Sequence, residues 1–152
     1  MPHPIHAFLS GSGRDASGRS VSDVLAMDDR ALEAVHDFIQ WLFPLPTRSM
    51  AQPQSPVLDA SEILAIRDDP AAQANLRAGA QRMRRFYGLN DHWLTGFDHN
   101  HLRITRIVTS LKLLAGDDEA KRFLSFVEDR CRAARDPVNA RSREYWRAAL
   151  RD

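Results

Sequence analysis

Residues 100–115 read NHLRITRIVTSLKLLA, and this stretch decides the fold class. Its apolar side chains recur at the three- and four-residue spacing of one helix face, a pattern typical of a helix packed against a core. They are Ile104, Ile107, Val108, Leu111 and Ala115. Gly116 follows at once, where glycine commonly ends helices, and Asp117 or Asp118 can start the next helix. Two helices joined this closely predict an antiparallel hairpin.

The same spacing recurs over most of the chain. It predicts further helices near residues 20–27, 29–43, 59–66, 70–87, 117–131 and 142–150. The segment that Asp28 or Asp29 opens is predicted as one enclosed helix through Phe43, which Pro44 stops. Gly88 is predicted as the left-handed residue after the 70–87 helix. No segment alternates with period two over a useful length, so the predicted fold class is all-α, a compact bundle of five to seven helices without a sheet.

Chain length and loop composition predict one domain with an N-terminal arm. A chain of 152 residues suits a single domain. Residues 1–19 are rich in proline, glycine and serine and predict an arm or loop, which Phe8 and Leu9 could anchor to the body. Residues 20–152 are predicted as a single helical domain. Four prolines between residues 44 and 56 predict a long, semi-rigid irregular connection.

The charge balance argues against a dedicated nucleic-acid-binding domain. The formal net charge is +1, and the sequence pI of about 8.0 lies below the range typical of such domains. Seven arginines fall between Arg130 and Arg151. We interpret most of them as solvated helix faces and ion pairs, and weak nucleic-acid binding by this stretch is kept as an alternative.

Membrane, secretory and cysteine signals are weak or missing in the sequence. No apolar run approaches the length of a membrane span, and no charged start precedes an apolar stretch, so we expect a cytoplasmic protein without a signal peptide. Cys131 is the only cysteine, which excludes an internal disulfide and a cysteine-based zinc cage. It lies in phase with Phe123, Leu124 and Val127 and is interpreted as a buried small apolar residue.

Asp98-His99-Asn100-His101 is the one metal-like cluster in the sequence. Zinc needs three or four convergent ligands, whereas positions i and i+2 of a helix point to nearly opposite sides. His99 and His101 could share an ion only in a loop. We therefore favour a helix cap with partly exposed imidazoles over a metal site.

His99, Arg103, Arg106 and Ser110 fall on one predicted polar stripe, opposite the apolar face. Together with free N–H groups at the helix start, they could hold a phosphate or carboxylate. The alternative, which we favour, is that Arg103 and Arg106 pair with acidic residues of a neighbouring helix.

Glu33, His36, Asp37 and Gln40 are predicted to cluster on the 29–43 helix. Acid–base catalysis there would need a cleft and a shifted pKa. A hydrogen-bonded core histidine at position 36 is the favoured interpretation.

Two segments resemble a known family. Residues 36–45, HDFIQWLFPL, resemble the signature of the opioid growth factor receptor conserved region, and residues 100–111, NHLRITRIVTSL, resemble its second signature. Weaker blocks follow the same order at residues 84–89, RRFYGL, and 142–146, SREYW. The chain is thereby identified as a member of that family, with similarity over roughly residues 20–150.

The resemblance implies a helical fold and peptide binding. Animal members are described as receptors for an enkephalin-type peptide that restrain cell growth, associated with the nucleus and its membrane. By that analogy alone, peripheral membrane association is implied. No catalytic or ligand-contacting residue transfers by motif. Phe38 stands where Tyr is usual, Trp is common near Met27, and the arginine-rich composition suggests a short bacterial member.

From these observations we predict a non-enzymatic binding module whose apolar groove takes a peptide or protein partner. We expect no cofactor, no metal and no catalytic residue. The candidate ligand-binding residues are Trp41, Phe43, His99, Arg103 and Arg106. The alternative is an anion- or metal-using enzyme built on His99, His101, Arg103 and Arg106.

Overall fold

The computed structural model describes residues 3–152, and every regular element in that part of the chain is a helix. The helices are α1 (Pro4–Ser10), α2 (Val21–Leu25), α3 (Asp29–Ala34), α4 (Ile39–Leu42), α5 (Ala60–Arg67), α6 (Pro70–Leu89), α7 (Asn100–Leu114), α8 (Asp117–Ala133) and α9 (Ala140–Arg151). The all-α prediction is confirmed. The helix count exceeds the predicted five to seven because α1 was not expected and one predicted helix is split into α3 and α4.

The chain divides into two compact units, Met1–Gly79 and Ala80–Asp152. Helix α6 supplies its first half to one unit and its second half to the other. The boundaries predicted for a single domain over residues 20–152 stay a prediction. None of the helices in the described part of the chain combines the length and apolar character that a bilayer crossing requires.

Helix α1 corrects the prediction of an arm or loop at residues 4–10, whereas residues 11–19 contain no helix and residues 1–2 lie outside the described part of the chain. Ile5, Phe8 and Leu9 share one helix face and are completely buried, and α1 packs against α2, α4 and α5. Proline near the start favours the helix, and Gly11, with φ of +93°, ends it. The proline and glycine that suggested a loop are the start and stop signals of a short buried helix.

The predicted helix from Asp28 to Phe43 is broken between α3 and α4. Val35 adopts an extended conformation, and Val, His, Asp and Phe in succession all have low helix propensity. Asp37 makes tertiary contacts instead, accepting hydrogen bonds from Ser17 Oγ at 2.7 Å and from Arg19 at 2.8 Å. His36 is exposed, so the predicted core histidine is wrong.

The proline-rich connection is irregular, as predicted. No helix lies between α4 and α5, and the N–H of Leu58 donates to the carbonyl of Leu45 at 3.0 Å, which closes the base of the loop. Arg48, which is exposed, donates to the carbonyl of Pro53 at 2.7 Å. The hydrogen bond between Leu58 and Leu45 therefore holds the two ends of this connection together.

In the second unit, α7 packs against α8 and α9. The apolar face of α7 is buried as predicted, and Gly116, with φ of +105°, makes the turn into α8. Asn139 caps α9, accepting a hydrogen bond from the N–H of Ser142 at 2.7 Å. The predicted hairpin and the predicted last helix are both present.

Candidate functional site

Asp98 organises the start of α7 from within the chain. Its carboxylate accepts hydrogen bonds from the backbone N–H and the side-chain amide of Asn100, both at 2.9 Å. Its carbonyl accepts from the N–H of His101 at 3.0 Å. The N-cap position falls on His99, whose side chain makes no capping bond. The Asp98 carboxylate therefore stabilises the positive end of this helix. It occupies the helix start at which the sequence alone allows a bound phosphate or carboxylate.

The two imidazoles of this segment face different environments. His99 is exposed, whereas His101 is buried and its Nε2 lies 2.8 Å from the carbonyl oxygen of Trp93. Because a carbonyl only accepts, Nε2 carries the proton in this contact. Partly exposed imidazoles were expected, and only His99 fits. Within residues 3–152, no group of three or more His, Cys, Asp or Glu side chains is placed to hold a metal ion.

His101 instead belongs to a buried structural network. The indole of Trp146 donates to the carbonyl of His101 at 2.9 Å, and the two rings meet edge to face at 5.9 Å. The indole of Trp93 donates to the carbonyls of Asn90, at 2.8 Å, and Tyr87. These bonds tie α7 and α9 to the segment that follows α6.

Apart from His99, the residues of the predicted polar stripe of α7 are not exposed. Arg103 and Ser110 are buried, Arg106 is half-buried, and none of the three is without a partner in the chain. Burial lowers the pKa of Arg106 to about 10, and its guanidinium still carries its charge at neutral pH. The favoured pairing of Arg103 and Arg106 with acidic residues of a neighbouring helix stays a prediction. A role for His99, Arg103 and Arg106 in ligand binding stays a prediction.

Trp41 and Phe43 lie in the core of the first unit. Phe43 is completely buried, Trp41 nearly so, and Trp41 meets the ring of Phe8 edge to face at 5.7 Å. Neither side chain presents an exposed face in this structure. Their predicted part in ligand binding likewise stays a prediction.

Cys131 is buried in α8, as predicted. Burial, reinforced by the nearby carboxylate of Asp136, raises the pKa of its thiol to about 11. The thiol is therefore protonated at neutral pH, and the thiolate is the form that reacts as a nucleophile.

The arginines of the Arg130–Arg151 stretch are largely paired with acids of the same chain. The pairs are Arg130–Asp91, Arg132–Asp129, Arg143–Asp136, Arg147–Glu128 and Arg151–Glu144. Some of these pairs surround a small polar cavity of about 160 Å³ beside Cys131. The pattern agrees with the ion-paired helix face expected from the sequence.

A larger cavity of about 580 Å³ opens in the second unit, between the second half of α6 and α8. We call it the α6–α8 groove. Its lining residues are Gln81, Arg84, Arg85, Gly88 and Leu89 from α6, and Phe126 and Arg130 from α8. The volume falls within the range of pockets that hold small molecules or side chains of a partner.

Gly88 and Phe126 form the floor of the groove. A Cβ atom at position 88 would lie 2.9 Å from Cζ of Phe126, closer than carbon atoms approach. Gly88 remains inside α6 and lacks a positive φ, so its predicted role as a left-handed terminal residue is wrong. A side chain at position 88 would displace the tip of the Phe126 ring, and glycine lets the ring lie directly against the helix.

The polar rim of the groove is cationic. Arg130 is held in place by its donation to the carbonyl of Tyr87 at 3.2 Å and by its ion pair with Asp91. Arg84 is half-buried, and its Nη1 has no hydrogen-bond partner among residues 3–152. Burial lowers the pKa of Arg84, which Glu119 partly opposes. A buried donor without an acceptor costs about 1–3 kcal/mol.

Sequence reasoning missed the groove. Gln81, Arg84, Arg85 and Gly88 recur at helical spacing, and this row was the available signal. The apolar row of the same helix, through Leu76, Ala80 and Met83, is the stronger pattern and predicts only the buried face of the helix.

Comparison with known families adds one finding. Residues 19–92 match the family described as "Opioid growth factor receptor (OGFr) conserved region". The match contains the predicted signature at residues 36–45 and the α6 wall of the groove, and it ends before residues 100–111. Comparison with curated proteins and with solved structures gave no match.

Proposed function

The chain belongs, through residues 19–92, to the opioid growth factor receptor conserved-region family, and on that premise we propose that it is a non-enzymatic module that binds a peptide or protein partner. The observation that carries the proposal is the α6–α8 groove, which combines an apolar floor with polar groups at its rim. Most ligand pockets have this composition. Grooves between helices are also a recurrent way to take a peptide.

The side chains that a catalytic alternative would use are engaged in packing. His101 contacts the carbonyl of Trp93, and Arg103 is buried and has a partner within the chain. These contacts support a binding role over the anion- or metal-using enzyme that the sequence left open.

A peptide-display selection on the whole chain tests the proposal. Peptides that enrich are synthesised and titrated against the wild type and Phe126→Ser, and we expect the variant to lose roughly tenfold or more in affinity, as for an aromatic anchor. Leu102→Ser, which removes an exposed apolar residue of α7 outside the groove, is the matched control and should bind normally. No enrichment, or equal binding by Phe126→Ser, would count against the proposal.

The ligand that the family implies has its own test. A Tyr-Gly-Gly-Phe-Met peptide is titrated while tryptophan fluorescence is followed. A saturable change would assign that peptide to this chain, and its absence up to millimolar concentration would remove it from consideration.

A further inference from the structure

The α6–α8 groove carries charge of one sign. Three of its lining residues are arginines, Arg84, Arg85 and Arg130, and none is acidic. The chain as a whole has a net charge of only +1, so this concentration is a local feature. A guanidinium presents a planar fork of N–H donors that suits a carboxylate better than a lysine ammonium does.

The three arginines are not equivalent. Arg130 is already bound to the carbonyl of Tyr87 and to Asp91, and it stiffens the rim. Arg84 has a buried Nη1 that lacks an acceptor within residues 3–152, and Arg85 is exposed beside it. Both side chains line the groove, so Arg84 and Arg85 are the pair that an incoming acceptor would meet.

The floor of the groove is apolar. Phe126 is half-buried against Gly88, and Leu89 is 69% exposed. One large apolar side chain of a ligand could pack against this exposed leucine and the neighbouring aromatic ring. A ligand that carried only charged groups would leave these apolar side chains exposed to water.

We propose that the α6–α8 groove binds an acidic peptide segment, which seats one large apolar side chain against Phe126 and Leu89 while its carboxylates pair with Arg84 and Arg85. This inference rests on the proposed function and names the partner's chemistry. The α6 wall from Gln81 to Leu89 is about 12 Å long, which matches about four residues of an extended peptide.

A peptide fits these observations better than a nucleic acid. Nucleic-acid sites track a phosphate backbone with a broad positive surface, whereas most arginines of the neighbouring Arg130–Arg151 stretch are paired with acids of the chain. The cationic part of the groove is confined to one rim above an apolar floor. A cationic surface of this size suits one or two carboxylates of a ligand.

Fluorescence anisotropy with defined probes tests the proposal. The probe is a labelled peptide in which one Phe is flanked on each side by two Glu residues. One control peptide replaces every Glu by Gln, and another replaces the Phe by Ala. We expect both controls to bind the whole chain at least about tenfold more weakly than the probe.

Protein variants locate the site. Arg84→Gln should weaken the acidic probe by about tenfold or more, as for loss of a charged hydrogen bond, with little effect on the Gln control peptide. Arg77→Gln removes the same charge from an exposed position of α6 outside the groove and should leave binding unchanged. Arg84→Lys keeps the charge but not the fork, and an intermediate affinity is expected even where Arg84→Gln folds poorly by circular dichroism.

Several results would overturn the proposal. Equal affinity for the Glu and Gln peptides, or wild-type affinity of both Arg84 variants, would contradict an acidic ligand. The broader proposal of peptide binding could then still be supported by the display-selected peptides. Tighter binding of a single-stranded oligonucleotide of equal charge, lost in Arg84→Gln, would assign the groove to nucleic acid. Failure of the probe together with failure of the display selection would remove both proposals.

Discussion

Gly88 lies so close to Phe126 that a Cβ on residue 88 would stand 2.9 Å from Cζ of the aromatic ring. This contact joins α6 to α8 at the floor of the α6–α8 groove. The missing side chain at position 88 leaves room for the ring, which forms part of the surface that lines the groove.

We predict that Gly88→Ala destabilises the second unit modestly and impairs binding in the groove. Overpacking against Phe126 should lower the free energy of unfolding by about 1–3 kcal/mol. Replacing glycine by alanine inside a helix should raise it by up to about 1 kcal/mol. A net loss near 1 kcal/mol is expected in urea unfolding.

Gly96→Ala is the matched control for this substitution. A Cβ at position 96 meets nothing within 4 Å, and its φ is not positive. The free energy of unfolding should stay the same or rise slightly. Equal destabilisation by both substitutions would contradict the role of the Phe126 contact.

Helix α1 is predicted to be essential for the stability of the first unit. Phe8 is completely buried and touches Trp41, so Phe8→Ala should cost about 3–5 kcal/mol. Met50→Ala, at a position that is 94% exposed, should change stability by less than about 0.5 kcal/mol. Denaturant unfolding measures both, and a neutral Phe8→Ala would show that the N-terminal segment is a dispensable arm.

His101 is predicted to act through structure. His101→Ala removes the donor to the buried carbonyl of Trp93 and a ring against Trp146, and should lower the free energy of unfolding by about 1–3 kcal/mol. His99→Ala, at an exposed position, should be nearly neutral. The prediction fails if His99→Ala is the more destabilising of the two.

The stability of the first unit should fall in acid. Burial raises the pKa of Asp37, but hydrogen bonds from Ser17 and Arg19 and the charge of Arg19 outweigh it, so the pKa in the folded state is below its ordinary value. Such a carboxylate contributes stability above its unfolded pKa of about 3.9, and this contribution is lost as pH falls through the folded value.

Urea midpoints measured as a function of pH check this expectation. Asp37→Asn should be less stable than the wild type at pH 7 and should lose less stability on acidification below about pH 4. If the urea midpoints of both proteins fall equally on acidification, the Asp37 ion pair is not a source of the pH dependence of stability.

Cys131 should resist thiol reagents in the folded protein. Burial raises the pKa of its thiol to about 11, so little thiolate exists near pH 8. We expect slow modification in native buffer and fast modification in urea, followed by absorbance of a disulfide reagent. Rapid modification of the folded chain would show that the site opens.

Helical periodicity predicted the fold class because most buried faces follow it. The α7 face through Ile104 and Leu111 is a local signal that the structure confirms. Asp59 and Asn139 cap their helices through equally local contacts. The break before α4 was missed because it depends on a tertiary contact between Asp37 and Arg19. Spacing alone cannot show a contact between residues 18 positions apart.

The site was harder to predict than the fold. Arg103 and Ser110 lie on a stripe that looks polar in sequence, yet both are buried. The α6–α8 groove forms from residues about 40 positions apart, such as Arg85 and Phe126, and from the absence of a side chain at Gly88. No local pattern encodes that juxtaposition.

The most direct test of the central claim is a chemical-shift map of the whole chain titrated with a display-selected peptide. The account predicts that the largest amide shifts fall on residues 81–89 and 126–130, with residues 99–106 little affected. Largest shifts around His99 and Arg103, or within residues 3–79, would contradict the assignment of the groove as the binding site.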